Sequence, residues 1–104
     1  MKIIGVCACP AGIAHTYMAA DNLERKGTKL GFQMKVETNG SGGVENRLSE
    51  DDIKSADYVI VAADIGVEME RFKGKKVLQV SVTDAIRRTD EVFKRIQSGD
   101  INIY

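Results

Sequence analysis

The run Tyr58-Val59-Ile60-Val61-Ala62-Ala63 is apolar at every position, with no polar alternation to leave one side facing water. A strand of that kind has to be covered on both faces, which is the condition of a central strand in a parallel α/β sheet. Three more segments read as strands. Lys2 to Cys7 is short, apolar and β-branched. Phe32 to Thr38 alternates, with Phe32, Met34 and Val36 set against Gln33, Lys35 and Glu37, so it buries one face and belongs near an edge. Val77 to Val80 is the fourth.

Helical spacing fills the intervals. Ile13, Tyr17, Ala20, Leu23, Gly27 and Leu30 recur on one face, with Gly31 as the C-cap. Ser49 and Asp52 form a capping-box pattern for a brief helix to Ala56. Ser81 or Thr83 caps a final helix through Ile86, Thr89, Phe93 and Ile96, which Gly99 stops. Asn39 to Gly43 reads as a loop, Asp64 to Lys76 as a polar connection with at most two helical turns, and Asp100 to Tyr104 as a tail that frays or docks. Strands alternating with helices predict stacked βαβ units, hence an α/β fold with a mainly parallel sheet.

A chain of 104 residues with 43% hydrophobic side chains suffices for a single domain spanning 1–104. Fifteen basic residues balance fifteen acidic ones, so no overall field recruits nucleic acid or an anionic membrane. No apolar stretch reaches the roughly 20 residues that cross a bilayer, and the start does not read as a secretory signal. The expectation is a soluble, cytoplasmic protein. Cys7 and Cys9 are too close for a useful crosslink, and with a single histidine in the chain a metal site is short of ligands, so no cofactor is expected. Cys7, inside a strand, reads as a small buried hydrophobe.

The chemistry concentrates in Cys9-Pro10-Ala11-Gly12-Ile13-Ala14-His15-Thr16, where the first strand gives way to the first helix. A thiol there meets the unpaired amides and positive dipole end of the helix, which favour a thiolate and any anion carried on the sulfur. Pro10 removes one donor, whereas Ala11, Gly12, Ile13, Ala14, His15 and Thr16 each keep an N–H, and Gly12 lets the loop curl into an anion-binding nest. Thr16 adds a hydroxyl. Cysteine-dependent phosphatases are similar, but place Arg at the sixth position after the nucleophile. Here that position is His15, which lacks a bidentate fork and suits phosphoryl delivery better than hydrolysis. A phosphatase using Asp64 as its acid, and a phosphate- or partner-binding module without turnover, are the alternatives. Arg47, Arg71, Arg87 and Arg88 are expected to be solvated.

That octet, together with Glu37-Thr38-Asn39-Gly40-Ser41, Glu45-Asn46-Arg47-Leu48 and Ala62-Ala63-Asp64-Ile65, closely resembles the fructose-type IIB component of the bacterial phosphoenolpyruvate-dependent sugar phosphotransferase system. The resemblance covers nearly the whole chain, with Ala11 where the family commonly has Thr and Asn39 where it commonly has Gln. It implies a Rossmann-like three-layer αβα sandwich whose open, four-stranded parallel sheet runs in the order 2-1-3-4. It also implies that Cys9 takes a phosphoryl group from a phosphohistidine on the IIA component. The group then passes to fructose or a fructose-like sugar held by the membrane IIC component, the protein working at the inner face of the membrane. Ile13, Tyr17 or Ile65 would then lie on an exposed docking rim around Cys9.

Overall fold

A computed structural model describes residues 1–9, 13–40, 43–99 and 101–104. The elements are β1 (Lys2–Ala8), α1 (Ile13–Lys29), β2 (Gln33–Gly40), β3 (Gly43–Glu45), α2 (Glu50–Ser55), β4 (Tyr58–Ala63), β5 (Val77–Val80), α3 (Val82–Arg87) and α4 (Thr89–Ser98), with one 3-10 turn at Glu70–Phe72. The sheet order is β3-β2-β1-β4-β5. Strands β2, β1, β4 and β5 are mutually parallel and hold the expected order of the four strands.

Two expectations about elements need correction. The sheet has five strands, because β3 pairs antiparallel outside β2, with Gly40 opposite Gly43 and Thr38 opposite Glu45. Three exposed residues carry no apolar period, so the hairpin left no signal beyond its glycines. The final helix is two helices. At Arg88 the backbone turns out of the helical region (φ −126°, ψ 37°), and the Thr89 hydroxyl donates to the Ala85 carbonyl at 2.6 Å. The apolar spacing runs on across this one-residue break, which is why the pattern did not reveal it.

Both sheet faces are covered. One packs Ile3, Cys7, Val36, Ile60 and Leu78 against Leu23 of α1, Val82 and Ala85 of α3 and Phe93 and Ile96 of α4. The other packs Ile4, Val6, Val59 and Val61 against Leu48, Ala56 and Phe72. This second layer is thin, made of α2 and the 3-10 turn. Ser49 caps α2 with a complete capping box: its hydroxyl accepts from the Asp52 amide and the Asp52 carboxylate accepts from the Ser49 amide. Lys35, Lys2 and that same amide hold the Asp52 carboxyl well below its usual range, Lys35 most strongly.

The tail docks. Ile103 bridges Lys76, the Val77 amide donates to the Asn102 carbonyl, and the Tyr104 amide donates to the Lys75 carbonyl at 2.8 Å. Gly31 and Gly99 end α1 and α4 with positive φ, as expected of C-caps.

Candidate active site

Strand β1 is bonded on both sides along its length, and Ala8 still faces Asn39 of β2 and Ala63 of β4. The Asp64 amide donates to the Ala8 carbonyl at 3.0 Å, the last bond before the strands part. Cys9 is therefore the first residue to leave the sheet, at the carboxyl end of its central strand, where open α/β sheets bind ligands. It is half-buried, packed against the α1 side of the core. Cys7 is sealed within that core, and burial, with a smaller effect from the Glu24 carboxylate, pushes its thiol up to about 12. The two cysteines differ in burial, and Cys7 is the small buried hydrophobe expected of it.

Helix α1 begins four residues beyond Cys9. The amides of Ile13, Ala14 and His15 lie in its first turn, where no intrahelical acceptor precedes them. That turn carries no acidic side chain, so nothing in the first turn of this 17-residue helix offsets its positive end. Ala14 and His15 are exposed. Thr16 is fully buried, and its Oγ1 has no hydrogen-bond partner among the described residues. Pro10, Ala11 and Gly12, and with them the middle of the expected nest, lie outside the described residues.

A depression of about 270 Å³ opens at this point. Cys9 and, from α1, His15 and Met18 line one side. Asp64 and, from α3, Val82, Thr83, Ile86 and Arg87 line the other. Asp64 Oδ1 accepts from the Val82 amide at 3.2 Å, which fixes the carboxylate beside α3. Sequence reasoning named Cys9, His15 and Asp64 and missed Met18, Thr83 and Ile86; it left Arg87 among the solvated arginines. Thr83, Ile86 and Arg87 carry no motif that could have found them, because they meet Cys9 only after the chain has crossed from β4 to β5 and turned back over the sheet, whereas Met18 stands one helical turn beyond His15 on α1 and helical spacing could have named it. Tyr17, Met18 and Ile65 are 39%, 49% and 42% exposed, and of these Met18 lines the depression with Cys9. The Glu45 carboxylate beside the Tyr17 hydroxyl pushes that phenol up.

The opposite sheet face carries a different construction. Glu37, expected on a solvated face, is 1% exposed. Arg71, expected in solvent, clasps it with two bonds, of 2.9 Å to Oε1 and 2.7 Å to Oε2. The Leu48 amide donates to Oε1 at 3.0 Å, and Arg71 also lies over the Phe72 ring. Burial pushes the Glu37 carboxyl up, but Arg71 and the Leu48 amide outweigh it and hold the group below the usual carboxylate range. The clasp joins β2 to the segment before α2 and to the 3-10 turn between β4 and β5, two residues short of Asn39.

Among the described residues no helix is long and apolar enough to cross a membrane. Residues 4–95 match the family model described as PTS system, Lactose/Cellobiose specific IIB subunit. The chain is 55% identical over 103 residues to the PTS system fructose-specific EIIABC component of Bacillus subtilis, covering 99% of itself and 16% of that protein. It is 49% identical over 98 residues to the PTS system fructose-like EIIB component 2 of Escherichia coli K12, covering 93% of itself and 92% of that protein. In three dimensions it superposes on the structure of a domain of fruA from Bacillus subtilis with a TM-score of 0.90 and 53% identity, over 100% of both chains. A family model spanning most of the chain, a relative matched over nearly its full length and a fold superposed end to end agree: the chain belongs to the IIB family of the sugar phosphotransferase system, among its fructose-like EIIB components.

Proposed function

We propose that residues 1–104 act as one phosphoryl-carrying domain and that Cys9 is the carrier. The Cys9 thiolate attacks the phosphorus of a phosphohistidine on a IIA component. An S–P bond forms, the P–N bond breaks, and the imidazole nitrogen keeps the electron pair. In the second half a hydroxyl of fructose or a fructose-like sugar, held by a membrane IIC component at the cytoplasmic face, attacks the same phosphorus. An O–P bond forms, the hydroxyl proton leaves to solvent or a nearby base, and the S–P electrons return to sulfur as thiolate. The amides of Ala11, Gly12, Ile13, Ala14, His15 and Thr16 are the proposed donors to the equatorial oxygens, with His15 adding charge when protonated. The relative named as an EIIABC component supports IIA and IIC as the partners.

The observation that carries this reading is the contrast between two thiols two residues apart. Only Cys9 meets solvent, where the central strand ends before a helix whose first turn carries no acid. The test is mass spectrometry after incubation with phosphoenolpyruvate, the general phosphotransferase proteins and a matching IIA component. The expected result is a single phosphoryl adduct that is lost in Cys9→Ser and kept in Cys7→Ser. An adduct surviving Cys9→Ser overturns the proposal. Steady release of inorganic phosphate from an aryl phosphate would favour a phosphatase instead, and anion binding without any adduct a regulatory module.

A further inference from the structure

We propose that Arg87 is the cation that balances the phosphoryl group while Cys9 carries it, an inference that rests on Cys9 being the carrier. A phosphoryl group brings about −1.5 to −2 charges. It would arrive in a depression that already holds the Asp64 carboxylate. Like charges at close quarters oppose loading, so the loaded state needs a permanent cation, which His15 at the sixth position of the cysteine loop is not. Among the described residues lining the depression, Arg87 is the only one with a permanent positive charge.

Its surroundings fit that task. The base of the side chain is held firmly: Asn22 of α1 donates to the Ile86 carbonyl at 3.0 Å, Val82 and Ala85 are buried, and the Arg88 amide closes the turn on the Asp84 carbonyl at 2.8 Å. The guanidinium end is exposed and, among the described residues, makes no hydrogen bond or ion pair. Arg71, by contrast, is spent on Glu37, Arg25 on Asp21 and Arg47 on Glu68. A guanidinium on a fixed base but with a free head can close on two phosphoryl oxygens with its planar fork and let them go when the group leaves. A carrier needs that reversibility; a permanent clamp would hold the phosphate.

The experiment measures the equilibrium constant for phosphoryl exchange between phosphorylated IIA and this protein, from the labelled fractions at several mixing ratios. An equilibrium constant reports the stability of the loaded state and is blind to how well the partners dock. Arg87→Ala is expected to lower it about tenfold, the discounted loss of a charge-assisted pair at an exposed position. Arg87→Lys should restore part of the loss and Arg88→Ala, which does not line the depression, should leave the constant unchanged. A slower exchange rate with an unchanged constant in Arg87→Ala would overturn the proposal by making Arg87 a docking residue. A loss that Lys does not relieve would overturn it by removing charge from the explanation. If the unaltered protein takes no label at all, the carrier reading itself fails and Arg87 fails with it.

Discussion

Substituting Arg71 by Met should strand the Glu37 carboxylate inside the protein. In the intact fold that carboxylate, 1% exposed, accepts two bonds from Arg71 and one from the Leu48 amide. Met keeps the stem that covers Phe72 but removes the charge and both guanidinium bonds. Breaking a buried pair from one side costs about 3–5 kcal/mol. The Leu48 amide remains and Arg71 is 13% exposed, which places this case near the lower end, at about 3 kcal/mol. In urea, with a slope of ~1.5 kcal/mol per molar, the unfolding midpoint should fall by roughly 2 M at pH 7. The double variant Glu37→Gln/Arg71→Met strands no charge and should cost only about 1 kcal/mol.

The pH dependence gives a second handle on the same pair. In the intact protein the folded Glu37 carboxyl lies below its unfolded value. Its contribution is thus complete above a pH of about 4.3 and is lost as the pH falls through the folded value. In Arg71→Met, burial without the cation raises the folded value above the unfolded one. The penalty is then full at neutral pH and recedes as the carboxyl protonates in acid. The stability gap between the two proteins should therefore close on acidification. A gap below about 1 kcal/mol at pH 7, or one that stays constant down to pH 4, refutes the claim that Arg71 neutralises a buried charge.

Two further outcomes can be checked on the purified protein. In a Cys9→Ser background, Cys7 should resist iodoacetamide at pH 8 while the protein is folded and react readily in 6 M-scale guanidinium, because burial keeps its thiol protonated; native-state reaction at the rate of a free thiol would contradict this. Gly27→Ala adds a Cβ that runs into Met34 Sδ and comes within 2.5 Å of Met34 Cγ. About 1 kcal/mol of helix propensity is then set against about 1–3 kcal/mol of overpacking, and thermal melts should show a net loss of about 1 kcal/mol that turns into a gain in a Met34→Ala background.

The sequence made the parallel part of the sheet legible because β4 and β1 are apolar on both faces, and burial on both faces leaves few alternatives. It also placed Cys9 at the end of its strand, because the apolar run of β1 stops just before it and the helical spacing of α1 starts four residues after it. Gly27 read as a weak point of α1, whereas it is where that helix makes room for Met34 of β2, which a one-dimensional pattern cannot show. Glu37 and Arg71 looked like surface charges because each takes its partner from a distant segment. Arg87 was indistinguishable from Arg88 in sequence, although of the two only Arg87 lines the depression beside Cys9. What the sequence withheld was of one kind: pairings made after long crossovers, where neither partner carries a local mark of the other.

The docked tail has a consequence for how other proteins can approach. With residues 102–104 bonded to the approach and first residue of the four-residue β5, and a three-residue β3 closing the far side, each flank of the sheet ends in a short stretch of backbone. Such flanks offer a visiting strand little to zip onto. On the proposed role of Cys9, this leaves donor and acceptor the end of the sheet from which the sulfur emerges, a single doorway that each would have to meet head-on, one after the other.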